Sequence, residues 1–269
     1  MTRATELLDL CRASLAAAGE PNAEVWLRAR RRGHARFSAS ELSQHMDLDE
    51  TEARVRVARG LRVAEVTLTD HDRDALIAAI GQAATLATTA PEQRGWPGFS
   101  GAARYTPCIR FAEATAQASA AERAELVARV IGAIGANGLA SAGVLETSAS
   151  SVAIATTTGC AAADDGTRAE LRLWALADAR GRGASGHASH LVRDVRDLAV
   201  DRLVEEAVRA AKDGADPGSV DAGTWDVVLE ATAVAELLEW LATITFAAPD
   251  VEQGTSVLAD GLEKAITGA

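Results

Sequence analysis

Residues 23–70, AEVWLRARRRGHARFSASELSQHMDLDETEARVRVARGLRVAEVTLTD, alternate β-branched or aromatic residues with Arg, Glu and Thr. A period of two puts successive side chains on opposite sides of a strand, so an alternating stretch of this length needs a sheet with one buried and one wet face. Gly33 and Gly60 interrupt it, and the stretch reads as a three- or four-strand antiparallel meander.

Helical text flanks the meander. Leu7, Leu8, Cys11 and Leu15 fall at helical spacing and Gly19-Glu20-Pro21 stops them, which predicts a helix over residues 2–18. Beyond the meander, Leu76, Ile77, Ile80, Ala84 and Ala87 form an apolar stripe, with Asp70 as the expected N-cap. PEQRGWPGFSGAARYTPC, residues 91–108, carries three prolines and three glycines and is read as a long functional loop or hinge between two halves.

The second half repeats the order. SAAERAELVARVIGAIGANG predicts a helix closed by Gly138 after Asn137. LASAGVLETSASSVAIATTTG gives two alternating runs and AELRLWALADARGRGASGHASH two more. RDVRDLAVDRLVEEAVRAAKDG then closes with an amphipathic helix starting near Asp194. TEARVRVARG in the first half parallels TRAELRLWALADARG in the second, each followed by another strand and an Asp-initiated helix. An internal duplication explains this, and so does chance likeness in alanine- and arginine-rich text. The fold class expected is α+β, with antiparallel or mixed sheets, flanking helices and a duplicated strands-then-helix unit. After Asp216-Pro217-Gly218, GTWDVVLEA reads as a short buried strand and AVAELLEWLATITF as a helix burying Leu237, Leu238 and Leu241.

Composition narrows the function classes. Apolar residues make up 48% of the 269 but aromatics only 4%, so the elements approach closely on alanine with few bulky anchors. A net charge of −11 repels a nucleic-acid backbone or an anionic membrane surface. Cys11, Cys108 and Cys160 are three, without short spacing, which fits a reducing compartment and no disulfide framework. No signal peptide and no apolar run of transmembrane length is read, so the expected location is the cytoplasm.

Four features imitate chemistry. Gly181, Gly183 and Gly186 spell G-x-G-x-x-G, but HASHLV intervenes before the next helix, so a hairpin turn is expected in place of a pyrophosphate site. His187 and His190 are spaced as a helical metal pair; along a strand they point to opposite faces, and exposed strand histidines are expected. His34, His45 and His71 read as isolated, solvated residues. Glu236 and Glu239 lie one helical turn apart, as an acid/base pair or as an outward polar stripe, and TTTGC at residues 156–160 reads as a strand end and turn. No catalytic, cofactor-binding or metal-ligating residue is assigned.

Several stretches in order resemble the TldD/PmbA, or modulator-of-gyrase, family of zinc metallopeptidases: RFSASELSQ, GLRVAEVTLTD, ATTTGC, SGHASHLVRDVRDL, GTWDVVLEATAVAELLEWL and GTSVLADGLEKAITG. In the catalytic branch, the segment after the strand resembling WDVVLEA carries a His-Glu-x-x-x-His helix whose histidines bind zinc and whose glutamate activates water. Here that place reads AVAELLEWLATITF, without a histidine. The resemblance therefore implies the TldE or PmbA type, a non-catalytic subunit that pairs with a zinc-bearing TldD-type subunit around a chamber for unfolded peptides. It implies residues 1–220 as the N-terminal α+β domain, with halves 1–90 and 109–215, and residues 221–269 as the incomplete start of a C-terminal metallopeptidase-like domain. The family continues beyond this point, so the chain reads as a truncated subunit. The competing readings are a stand-alone interaction or ligand-binding protein on the same fold, and a metalloenzyme using His187 and His190.

Overall fold

The computed structural model describes residues 3–69, 71–106, 108–178, 183–261 and 264. The chain divides into a large unit, Met1–Pro217, and a small one, Gly218–Ala269. The large unit runs α1 (Arg3–Ala18), β1 (Ala23–Ser38), β2 (Glu41–Arg59), β3 (Arg62–Leu68) and α2 (Arg73–Ala87). A short helix α3 (Glu113–Ala116) follows, and then α4 (Ala120–Gly135), β4 (Ala140–Thr156), β5 (Ala161–Leu176), β6 (Ser185–Val192) and α5 (Val200–Asp213).

All six strands form one antiparallel sheet of order β3-β2-β1-β4-β5-β6. The order helix, three-strand meander, helix occurs twice, and the two meanders join through β1 and β4, paired from Glu24↔Thr156 to Phe37↔Gly143. An antiparallel central pair relates the halves by an approximate two-fold axis through the sheet. The strands are long because alternation persists through them, and the hairpin bends fall where the backbone turns left-handed, at Ala39-Ser40 and at Gly60.

Alternate residues decide which face is covered. Val25, Leu27, Ala29, Val55 and Val57 are buried with Leu7, Cys11 and Leu15 of α1 and Leu76 and Ile80 of α2. Phe37, Leu145, Leu171 and Leu173 are buried with Val127 and Ile134 of α4 and Leu203 and Ala207 of α5. Two apolar clusters therefore lie side by side on one face. Between them Arg123 of α4, only 2% exposed, crosses Gly33 to reach Asp47, His45 (3.0 Å), Thr147 Oγ1 (3.3 Å) and the Ala118 carbonyl (2.8 Å). A side chain at position 33 would collide with that guanidinium.

Several expectations need correction. The α2 N-cap is Asp72, whose carboxylate accepts from the Ala75 amide; Asp70 lies outside the described residues. The stretch 139–159 holds one strand, β4, not two, because β4 is paired on both sides through its small polar centre, from Ser148↔Arg32 and Ser148↔Arg168 onward. Gly33 does not interrupt β1. Asp194 caps a 3₁₀ turn, Val195–Asp197, with its carboxyl held down to about 2 by Arg196, and α5 begins later, at Val200.

In the small unit the described residues before α6 (Ala231–Thr245) are not a strand, and Val228 is 95% exposed. A single strand without a neighbour leaves its backbone groups unpaired, and no neighbour lies within the described part of this unit. Helix α6 also does not bury Leu237, Leu238 or Leu241, which are 54, 53 and 43% exposed. A short helix α7 (Ala248–Glu252) follows, and the Ser256 hydroxyl donates to the Thr245 carbonyl at 2.7 Å.

Candidate functional site

The face of the sheet opposite the helices carries the even-numbered residues of β1: Trp26, Arg28, Arg30, Arg32, His34 and Arg36. Helices bury the odd positions other than Arg31, so these side chains stand on the face that no helix of this unit covers. Across the sheet the rows continue. Gln44, Arg36, Val144, Arg172 and Ser189 are successive cross-strand neighbours, and so are Met46, His34, Glu146, Glu170 and Leu191.

Most of the charge on this face is internally balanced. Glu52 accepts from both Arg28 and Arg54 at 2.6 Å, Arg30 reaches Glu146 at 3.5 Å, Arg56 pairs with Glu24, and Glu170 faces Arg168 and Arg172. Aromatic rings sit among the cations. The guanidinium groups of Arg54 and Arg28 lie 4.9 and 5.6 Å from the Trp26 ring, and Arg56 lies 5.6 Å from both Trp96 and Phe99. The long connection between α2 and α3 thus folds back over one end of the face. It is tied there by Arg110 to Asp164 and by the Tyr105 hydroxyl at 3.1 Å from Cys160 Sγ, a contact that raises the Tyr105 pKa.

At the other end the face is open. Arg32, His34, Arg36, Glu146, Arg172 and Trp174 line a hollow of about 520 Å³. Trp174 stands beside His187, their ring centroids 4.6 Å apart. Desolvation first, and the nearby Arg172 cation second, lower the His187 pKa from its ordinary value, while Glu206 opposes them. A larger hollow, about 640 Å³, lies in the helix layer between α4 and the entry to α5, but the Arg123 cation at its wall is already taken by Asp47.

The sequence candidates separate. His187 and His190 are on one strand and face opposite sides: His187 meets Trp174, and His190 Nδ1 accepts weakly from the Ala199 amide at 3.4 Å. His190 is half-buried, not exposed, and His45 is bonded to Arg123, not isolated. Gly181 lies outside the described residues, Gly183 turns with φ +99°, and Gly186 is in β6, where a side chain would strike the backbone of α5 at Ala207 and Ala211. The third glycine thus serves helix-on-strand packing. Residues 157–159 are the β4–β5 turn; the Cys160 amide donates to Thr156 Oγ1 at 2.9 Å. Glu236 and Glu239 are exposed on α6. Among the described residues no cluster of three or more His, Cys, Asp or Glu could hold a metal ion. The sequence reading predicts one wet face but does not single out the arginine row on it as a candidate site, although Arg28, Arg30, Arg32 and Arg36 at even positions of one strand signal it.

Residues 106–214, which comprise the second helix-meander-helix repeat, match the model of the PmbA/TldA metallopeptidase central domain. This part of the chain resembles the central domain of the TldD/PmbA family. Solved structures share the fold. TldE from Thermococcus kodakarensis matches with a TM-score of 0.67 at 18% identity, over 78% of this chain and 47% of that one. A modulator of DNA gyrase from Thermotoga maritima matches at 0.77 and 17%, over 94% and 58%. Another from Bacteroides thetaiotaomicron matches at 0.78 and 13%, over 97% and 61%. The chain spans about half to three-fifths of the length of these structures. Comparison with curated proteins returns no sequence match. No helix among its described residues is long and apolar enough to cross a membrane.

Proposed function

We propose that this chain is a TldE-like, non-catalytic subunit that pairs with a zinc-bearing TldD-type subunit in the cytoplasm and helps to hold unfolded peptide for hydrolysis. In this reading residues 1–220 form the N-terminal domain and residues 221–269 open the metallopeptidase-like one. The observation that carries it is the two-sided construction of the sheet. One face is sealed by four helices, while the other presents alternating guanidinium groups, carboxylates and tryptophans across both repeats. A flat sheet face with polar groups and aromatic platforms suits an extended chain, whose backbone and side chains vary in chemistry.

The division of labour is supported by α6. Its Glu236 and Glu239 do not fit a zinc site, because the segment has no histidine and carboxylates alone are a hard-ion ligand set. This chain is accordingly assigned no catalytic residue, cofactor-binding residue or metal ligand, and the zinc chemistry belongs to the partner. Co-expression with a relative that carries His-Glu-x-x-x-His tests the pairing. A stable complex with zinc-dependent cleavage of a denatured peptide, stronger than that of the relative alone, is the expected result. Two proteins that elute separately, with cleavage unaffected by this chain, would sink it.

A further inference from the structure

The open end of the sheet face has an unmet demand for negative charge. Arg32 and Arg36 stand four residues apart on the same face of β1, with His34 between them, and both line the 520 Å³ hollow. Among the described residues neither guanidinium has a carboxylate within 4.0 Å, unlike Arg28, Arg30, Arg54 and Arg56 on the same face. Arg32 Nε is also buried without a hydrogen-bond partner, a donor of the kind that a bound oxygen satisfies.

Register brings a third cation to the same place. Arg36 and Arg172 are separated only by Val144 on the strand between them, which sets their backbones roughly 10 Å apart and leaves a short side chain under the gap. Arg172 is held loosely by Glu170 at 3.4 Å, and the hollow's own carboxylate, Glu146, faces Arg30. Trp174 completes the wall with an apolar surface. Such a concentration of unpaired guanidinium in a chain of net charge −11 is locally specific and is not a consequence of overall composition.

We propose that this hollow is a receptor for a carboxylate, with Arg32 and Arg36 as the donors, Arg172 as a third cation, and Trp174 packing against the apolar part of the ligand. Guanidinium pairs bind carboxylates through charge-assisted, commonly bidentate hydrogen bonds, which favour this anion over a neutral amide. That the carboxylate belongs to an extended peptide rests on the function proposed above; that the ligand is anionic rests on the hollow alone. The carboxylate comes either from the peptide's C-terminus or from an acidic side chain.

Calorimetric titration of the whole chain with three probes decides this: a short acetylated, otherwise uncharged peptide with a free C-terminus, its C-terminal amide, and the amide carrying one internal glutamate. At least one carboxylate-bearing peptide is expected to bind about tenfold more tightly than the plain amide. Preference for the free C-terminus or for the glutamate identifies the source. Arg36→Gln and Arg32→Gln, checked for an unchanged melting midpoint, are each expected to erase that preference, and added salt to reduce it. Equal affinity for all three peptides, or no binding of any by the folded wild-type chain, overturns the proposal. The peptide series needs no variant, and complex formation with the zinc-bearing relative is read separately. Carboxylate preference without pairing would leave the receptor and remove the subunit role; pairing without carboxylate preference would do the reverse.

Discussion

Gly33 and Arg123 compete for one volume, and the outcome shapes the centre of the sheet. The guanidinium of Arg123 fills the place where a side chain at position 33 would stand, and from there it reaches Asp47 and Thr147 between the two apolar clusters. Gly33→Ala is expected to cost about 1–3 kcal/mol by overpacking. Arg123→Ala should cost about 1–3 kcal/mol through lost hydrogen bonds, moderated because Asp47 is 43% exposed and can be hydrated. Urea unfolding of the double variant is the informative measurement, since the glycine substitution should cost little once the arginine is gone. Additive losses would show that the two residues do not share space.

At the same scale, His187 titrates as part of the open face. Its pKa is lowered in the folded protein by desolvation and by Arg172, so the folded state binds fewer protons than the unfolded chain as pH falls through the ordinary value of 6.5. Stability from this residue is therefore present above that value and is lost on acidification toward the folded pKa. NMR titration should place His187 below 6.5, and Arg172→Gln should move it part of the way back, because desolvation remains.

Among the elements, the contact of α5 with β6 is the least tolerant. Gly186 lets the helix backbone at Ala207 and Ala211 approach the strand directly, so Gly186→Ala forces two backbones apart. A loss of about 2–3 kcal/mol or more in thermal or urea unfolding is expected, whereas Gly81→Ala on α2, with open space around it, should be neutral or stabilising. Element type was legible wherever periodicity and burial agreed: the meander of residues 23–70 alternates because one face packs under helices and the other does not. It was illegible where partners decide. The centre of β4, Thr147 to Ser151, has small polar residues that read as a break, yet pairing on both sides keeps it extended. The apolar run GTWDVVLEA reads as a strand and has no neighbour to pair with among the described residues of its unit. Arginines at alternate positions of β1 were visible, but their ion pairs depend on carboxylates many residues away, such as Glu146 and Glu52, so the unpaired Arg32 and Arg36 could not be picked out from sequence.

For the large unit as a whole, the joined meanders make β1 and β4 the central pair of a single sheet, bonded on both sides along nearly their whole length, whereas β2 and β5 are so bonded only over the stretches facing β3 and β6. Hydrogen exchange should therefore find the slowest amides in these two strands, with the edge strands β3 and β6 faster. Equal protection of edge and centre would contradict the strand order. The family resemblance and the fold describe a scaffold with one sealed face, and the central claim is that the other face handles substrate. Its most direct test is cleavage of a denatured peptide by the complex with a zinc-bearing relative, comparing the wild-type chain with one carrying Trp26→Ser and Trp174→Ser. The account predicts an intact complex with cleavage reduced about tenfold, equivalent to roughly 1.4 kcal/mol of lost transition-state binding; an intact complex that cleaves at the wild-type rate would contradict it.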